Sequence, residues 1–352
     1  MPASSRGTGL RCGTSQPHAR SALIALLVLL LAACGGDDGA SDTSTPEEGA
    51  AGSEATAGGE EYDIVLVPGV IGDEFYVSME CGAREAADEI GVNLDVQGAE
   101  EFDPTLQTPV LEAVIASQPD AILIAPTDVT AMQAPIQQAV DAGITVVLVD
   151  TTLDDPSVAV SAIASDNTEG GRMAGEALAE LIDEQGVVMV VNVNPGISTT
   201  DQRQQGFEEA IAQYANIEYI GTEFSENEPA RAAEIVAATL AAEPDLNGIF
   251  GTNLFSAEGA ATGARNAGPE GADIRIVGFD AGPAQIDQLE QGQVQALIVQ
   301  KPIDIGRMGV EQAVAALNGE PTEEQITTDF VTATADNLED PEIAPFLYRS
   351  SC

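Results

Sequence analysis

An aromatic side chain and a carboxylate, Phe279 and Asp280, follow the short apolar run Ile274-Arg275-Ile276-Val277-Gly278. The run is typical of a buried strand, and its glycine marks the release into a loop. Ligands of open α/β sheets bind at the carboxyl ends of the strands. A flat apolar face beside a hydrogen-bond acceptor suits a ligand with hydroxyl groups on an apolar ring, such as a sugar. The alternative interpretation is a core phenylalanine followed by a helix-capping aspartate.

Polar and aromatic residues follow other predicted strands in the same way. They are Gly69, Asp73, Phe75 and Tyr76 after the first strand, Asp150 and Thr151 after the fourth, and Phe224, Asn253 and Gln300 in the second half of the chain. Arg203 opens a predicted helix nearby. Because the carboxyl ends of parallel strands meet at one edge, these residues are expected to collect at one cleft.

Strand and helix patterns alternate from Tyr62 onward and must position these residues. The continuous apolar run Ala121-Ile122-Leu123-Ile124-Ala125 is typical of a parallel sheet that is covered on both faces. The alternation restarts near residues 161–167, and a last strand is predicted over Ile326 to Val331. The predicted fold class is α/β, with two similar doubly wound parallel-sheet lobes joined by a hinge.

The charge balance and the histidine count exclude several functions. The chain of 352 residues has 12 basic and 58 acidic residues, so a polyanion such as nucleic acid would be repelled. The acidity is read as a source of solubility. The single histidine, His18, lies in a segment predicted to be removed. The mature chain then has no imidazole for a Ser-His-Asp site or for zinc, and no metal or other cofactor is expected.

The N-terminus has the features of a processing segment. Three arginines precede the apolar run Ala22 to Ala33, which is too short to span a bilayer. The run ends Leu31-Ala32-Ala33-Cys34-Gly35, which resembles a bacterial lipobox and implies lipid modification of Cys34. The alternative is ordinary secretion with an unmodified cysteine. Residues 35–60 lack apolar anchors and are expected to form a disordered tether. The protein is thus expected outside the cytoplasm, attached to the outer face of the cell membrane through its lipid alone.

Two cysteines, Cys81 and Cys352, remain after processing and lipidation. An exported protein meets an oxidising compartment, so a disulfide between them is expected to tie the C-terminal tail to the first helix. Two unpaired thiols are the alternative.

From Tyr62 to about Thr334 the chain resembles the ribose-binding type of periplasmic sugar-binding proteins, the type I solute receptors of ABC importers. The motifs that carry the resemblance are Asp73-Glu74-Phe75-Tyr76-Val77-Ser78, Ala125-Pro126-Thr127-Asp128, Ile163-Ala164-Ser165-Asp166-Asn167, Val277-Gly278-Phe279-Asp280 and Gln300-Lys301-Pro302. They occur in order, at spacings like those of the family.

The resemblance implies a role for each candidate residue. Phe75, Tyr76 and Phe279 would hold the sugar ring, Phe224 would form a further wall, Asp150 and Asp280 would accept hydroxyl hydrogen bonds, Arg203 would donate, and Asn253 and Gln300 would do both. Three departures put ribose itself in doubt. Thr151 stands where the family pattern has a second arginine, Gly69 replaces a small hydroxyl residue, and Asp73 replaces an amide. Another pentose, a hexose, a sugar alcohol or another small polyol would fit.

The expected organisation is a signal peptide at 1–33, a tether at 34–60, an N-terminal lobe at 61–164 plus 301–329, a C-terminal lobe at 165–300 plus 330–336, and a tail at 337–352. The expected function is capture of a monosaccharide or polyol by a monomer that delivers it to an ABC-type permease. The alternative is a ligand sensor that docks on a chemoreceptor or a sensor kinase. An enzyme and a DNA-binding repressor are both disfavoured.

Overall fold

Two parallel sheets form the framework of the computed structural model, which describes residues 62–352. The predictions for the signal peptide, Cys34 and the tether fall on residues outside this range. The first half contains β1 (Asp63–Val67), α1 (Glu74–Ile90), β2 (Asn93–Val96), α2 (Pro104–Ser117), β3 (Ala121–Ile124), α3 (Gln133–Asp141), β4 (Thr145–Val149) and β5 (Ser161–Ser165).

The second half repeats this alternation. It contains α4 (Asn167–Leu181), β6 (Gln185–Asn192), α5 (Ser198–Ile211), β7 (Asn216–Phe224), α6 (Pro229–Ala242), β8 (Leu246–Gly251), α7 (Leu254–Asn266), β9 (Arg275–Phe279), α8 (Pro283–Glu290), β10 (Ala296–Val299), α9 (Pro302–Leu317), β11 (Gln325–Thr328) and β12 (Val331–Ala333). No helix within residues 62–352 is both long enough and apolar enough to cross a bilayer.

The strand order places each half of the chain in its own sheet, except that β11 from the second half joins the first sheet. One sheet has the order β11-β5-β4-β3-β1-β2 and the other β12-β10-β9-β8-β6-β7. All neighbours pair in parallel except β10 and β12, which are antiparallel. Strand β3 is buried along its whole length, as a sheet covered on both faces requires. The predicted fold class of two doubly wound lobes is confirmed.

The prediction of one strand over Ile326 to Val331 is wrong. The structure has two short strands there, β11 beside β5 and β12 beside β10. The chain crosses between the two sheets at Asp329 and Phe330, so a single strand could not serve both lobes. The other two crossings lie between β5 and α4 and between β10 and α9.

Helices α1 and α9 pack at unusually close range through a reciprocal pair of glycines. A Cβ atom at Gly82 of α1 would lie 2.0 Å from the carbonyl oxygen of Ile303, and one at Gly306 of α9 would lie 1.9 Å from that of Met79. No side chain larger than hydrogen fits at either position. The first lobe therefore has two helices whose backbones touch.

The second lobe repeats this arrangement between α4 and α5. A Cβ atom at Gly171 would lie 1.9 Å from the carbonyl oxygen of Arg203, and one at Gly206 would lie 1.9 Å from that of Thr168. Since Arg203 itself lies on α5, this close contact fixes the position of Arg203 relative to α4.

The last residues of the chain run from the second sheet back to α1. After β12, the backbone N–H of Tyr348 donates to the carbonyl oxygen of Ala281 in the second lobe (3.0 Å). A disulfide then joins Cys352 to Cys81 of α1, with Cα atoms 5.3 Å apart.

Candidate functional site

A cavity lies between the two lobes, at the carboxyl ends of their strands. The residues that line it are Asp73, Phe75, Tyr76, Phe102, Asp150, Val193, Ile197, Thr199, Thr200, Arg203, Asn227, Asn253, Asp280 and Gln300. Both lobes thus contribute apolar and polar groups to one cavity.

The first turn of α1 supplies the aromatic wall of the first lobe. Asp73 caps the helix by accepting a hydrogen bond from the N–H of Phe75 (2.8 Å), and this fixes where the helix begins. Phe75 and Tyr76 follow at once, with ring centroids 5.1 Å apart in an edge-to-face pair. The ring of Phe102 stacks against that of Tyr76 at 6.5 Å and 26°. The cap therefore sets the position of the whole wall.

Asp150 stands directly after β4 and faces this wall. Its φ of 64° lies in the left-handed region, which turns the chain sharply at the strand end. One carboxylate oxygen accepts from the hydroxyl of Tyr76 (2.8 Å). Burial raises the pKa of Asp150 to about 6, against the opposing effects of Arg203 and the Tyr76 hydrogen bond. This buried carboxylate can therefore accept further hydrogen bonds from a ligand.

Arg203 is the cation of the cavity and is only 2% exposed. Its Nε donates to Oδ1 of Asn167 (2.8 Å) and its Nη1 to the carbonyl oxygen of Thr252 (2.9 Å). A guanidinium has five N–H donors, so these two contacts leave others for a ligand. Because both partners lie in the second lobe, the side chain is fixed before any ligand binds.

Asp280 is the most heavily hydrogen-bonded carboxylate of the site. Its Oδ2 accepts from the N–H of Leu254 (2.9 Å), and its Oδ1 accepts from Gln300 Nε2 and the Tyr348 hydroxyl (2.8 Å each). Gln300 in turn accepts from Ser165 at the end of β5 in the first sheet (2.8 Å). The hydrogen-bond chain therefore joins the site to the crossing between the lobes.

Asn253 combines a structural role with a place in the cavity. Its Oδ1 caps α7 by accepting from the N–H of Ser256 (3.1 Å), and its Nδ2 donates to Oδ1 of Asn227 (2.7 Å). The two amides form a polar edge on the side of the cavity that belongs to the second lobe.

Three carboxylates share the cavity with one guanidinium. Burial, followed by the charge of Asp280, raises the pKa of Asp73 well above its usual value. Among residues 62–352, no three acidic, histidine or cysteine side chains are arranged to hold a metal ion. Hydroxyl groups are suitable partners for these carboxylates, since they donate hydrogen bonds without bringing charge.

Phe279 does not line the cavity. Its ring is fully buried, and the guanidinium carbon of Arg203 lies 3.8 Å from its centroid. The ring also contacts Phe250 and Phe330 in the core of the lobe. Phe279 therefore supports Arg203 by a cation–π contact and does not offer a face to a ligand.

Three more predicted residues lie outside the lining. Phe224 is half-buried at the end of β7, and its carbonyl oxygen accepts from Arg231 (3.0 Å). Thr151 is buried behind Asp150, and its hydroxyl has no hydrogen-bond partner. A Cβ atom at Gly69 would lie 2.3 Å from the ring of Phe102, so this glycine makes room for the aromatic wall.

Several residues of the lining were not predicted from the sequence, above all Phe102, Thr200 and Asn227. Phe102 follows β2, so the rule that identified the other strand ends could have found it. The hydroxyl of Thr200 is buried without a partner, which makes it a natural donor or acceptor for a ligand. Asn227 lies in a turn with a φ of 61°, and no periodic pattern marks it.

Comparisons with known proteins agree with this fold. The model of the periplasmic binding protein domain matches residues 64–321. The ribose import binding protein of Salmonella typhimurium is 30% identical over 266 residues, which cover 76% of this chain and 88% of that protein. An ABC transporter solute binding protein from Agrobacterium vitis, solved with alpha-D-tagatopyranose, is 43% identical with a TM-score of 0.80 and covers 82% of this chain and 99% of that chain. A carbohydrate transporter solute binding protein from Agrobacterium radiobacter, in complex with D-arabinose, is 27% identical with a TM-score of 0.78 over 82% and 99% of the two chains.

Proposed function

Because the chain belongs to the periplasmic binding protein family, we propose that it binds a monosaccharide in its pyranose form and delivers it to an ABC-type permease. The observation that carries the proposal is the cavity between the lobes, where Phe75, Tyr76 and Phe102 face Arg203 and Asp280. A sugar ring presents apolar C–H faces and a rim of hydroxyls. The aromatic rings can pack against the C–H faces, and the charged groups can form hydrogen bonds with the hydroxyls.

The chemistry of the lining favours a neutral polyol over a charged ligand. An anion would meet Asp73, Asp150 and Asp280, whereas a single guanidinium would be its only cationic partner in the cavity. A sugar hydroxyl can donate to a carboxylate and accept from Arg203 at once. A ketohexose is the most specific candidate, since the 43% identical protein was solved with alpha-D-tagatopyranose.

Capture needs no bond making or breaking, and the protein is proposed to be a receptor without enzymatic activity. Each lobe carries half of the binding groups, and a ligand that bonds to both halves stabilises the closed arrangement by its differential affinity. The three crossings between the sheets would absorb the rotation. A monomer suffices for this mechanism, with the N-terminal lobe at 61–164 plus 301–329 and the C-terminal lobe at 165–300 plus 330–336.

The proposal includes export and lipid anchoring at Cys34, with removal of residues 1–33. Its support is the lipobox-like sequence together with the membership of the family. Growth with a labelled fatty acid tests it. The wild-type protein should carry label in the membrane fraction, whereas a Cys34→Ser variant should carry none. Equal labelling of both proteins would contradict the assignment.

A binding screen tests the ligand class. Purified mature protein is titrated calorimetrically with D-tagatose, D-fructose, D-ribose, D-allose, D-arabinose and galactitol. A ketohexose is expected to bind most tightly. Asp280→Asn should abolish the heat, and Glu290→Gln on the exposed end of α8 should retain it. Amino acids and nucleosides are screened in parallel by thermal shift. An amino acid or nucleoside that raises the melting temperature would refute the proposal.

A further inference from the structure

The C-terminal tail passes directly behind the binding cavity. Tyr348 is 6% exposed, and its hydroxyl donates to Oδ1 of Asp280 at 2.8 Å. Its ring packs edge-to-face against Phe75, with centroids 5.9 Å apart. Asp280 and Phe75 line the cavity from opposite lobes. One side chain from the tail therefore contacts a ligand-facing residue of each lobe.

The tail is also held by contacts before and after Tyr348. Before it, the ring of Phe346 lies 4.7 Å below the ammonium group of Lys301, at one of the crossings between the lobes. After it, the N–H of Arg349 donates to the Ser78 hydroxyl of α1 (2.8 Å). The disulfide between Cys352 and Cys81 closes this path covalently. The tail is therefore a further link beside the three chain crossings.

We propose that the tail is a fourth, covalently closed connection between the lobes, and that Tyr348 is a positioning residue that holds Asp280 and Phe75 in their ligand-binding geometry. This inference rests on the proposed sugar site and adds to it a residue 68 positions further along the chain than the carboxylate that it orients. Burial and the charge of Asp280 raise the pKa of Tyr348, so its hydroxyl stays protonated and donates.

The short span from Tyr348 to Cys352 is what gives the disulfide its effect. Four residues reach at most about 14 Å when fully extended, so the anchored end of the tail cannot carry the tyrosine far from Asp280. Without the disulfide, the tail loses its covalent anchor on α1 and Tyr348 can move away from Asp280. Asp280 would then lose the hydrogen bond that it accepts from the Tyr348 hydroxyl.

Removal of the hydroxyl tests the positioning role. Tyr348→Phe keeps the ring against Phe75 and removes the charge-assisted hydrogen bond, so the dissociation constant for D-tagatose should rise at least tenfold. Tyr62→Phe is the matched control, because that hydroxyl donates to Asn318 on the surface (3.0 Å), and it should bind like the wild type. Wild-type affinity in Tyr348→Phe would overturn the inference.

The role of the disulfide is tested in the same titration. The double variant Cys81→Ser/Cys352→Ser should lose affinity to a similar degree as Tyr348→Phe, and the triple variant should lose little more, because both changes act through one contact. Additive losses would show that the disulfide does not act through Tyr348 and would overturn the coupling.

A second readout separates this inference from the proposed function. If the wild type binds no sugar, the proposed function is refuted. The positioning role of Tyr348 can then still be tested by hydrogen exchange of the sugar-free protein. Loss of Tyr348 contacts should speed exchange of the Leu254 N–H, which donates to Asp280 (2.9 Å), in both Tyr348→Phe and the cysteine variant. Unchanged exchange in both variants would refute the positioning role.

Discussion

Replacement of Asp150 by asparagine should produce a protein that is more stable at neutral pH and binds its ligand less well. Asparagine keeps an oxygen that can accept the Tyr76 hydroxyl, which now lies 2.8 Å from the carboxylate. It removes the cost of holding a charge in a site that is 5% exposed. It also removes a charged acceptor for sugar hydroxyls, so the dissociation constant should rise more than tenfold.

The size of the stability effect follows from the raised pKa. Burial raises the pKa of Asp150 from 3.8 to about 6, so the folded chain holds more protons than the unfolded chain between these values. The free energy of unfolding therefore falls as the pH rises through this window. At about 1.4 kcal/mol for each pKa unit, the loss above the window is about 3 kcal/mol.

The assay is chemical denaturation of the sugar-free wild type and Asp150→Asn from pH 4.5 to 8. The difference between the two proteins should approach about 3 kcal/mol above pH 7 and shrink toward pH 4.5. Titration of the many surface carboxylates cancels in this difference. Asp287→Asn, on the exposed face of α8, is the control and should show no such trend. A difference that is independent of pH would refute the reasoning.

Four further substitutions test other parts of the site. Arg203→Met should lower the free energy of unfolding by about 3 kcal/mol, measured by denaturation, and abolish calorimetric binding, because it leaves buried carboxylates without their cation. Gly69→Ala should weaken binding at least tenfold in titration, since the new methyl group would displace the ring of Phe102. Phe279→Leu should cost about 1–3 kcal/mol of stability through the cavity that it leaves in the core, whereas Phe75→Leu should mainly reduce affinity; the reverse pattern would show that Phe279 faces the ligand.

Much of the fold could be predicted because its strands are continuous apolar runs and its helices begin and end at recognisable residues. Helix α6 and helix α8 each begin at a proline, which favours the first position of a helix. The split of the last predicted strand into β11 and β12 was not predicted, because no glycine or proline marks a break at Asp329 and Phe330. Only the positions of the two sheets separate these strands.

The strand-end rule found the groups that follow β1, β4, β8 and β10, because a parallel sheet places all of these ends at one edge. It misjudged Phe279, since a strand end alone does not tell which way a ring points. Arg203 stacks on this ring from α5, a contact that depends on how the helix is placed over the sheet. Tyr348 was beyond reach for the same reason, since its position depends on the path of the tail.

The reciprocal glycines of the two helix pairs have a mechanical consequence. With backbones in contact at Gly82 and Gly306, and again at Gly171 and Gly206, neither pair has a compliant layer of side chains at these points. Each lobe should therefore resist internal shear. A displacement of Arg203 by a bound ligand should move α4 and α5 together with their lobe, so that ligand binding rotates one rigid lobe relative to the other.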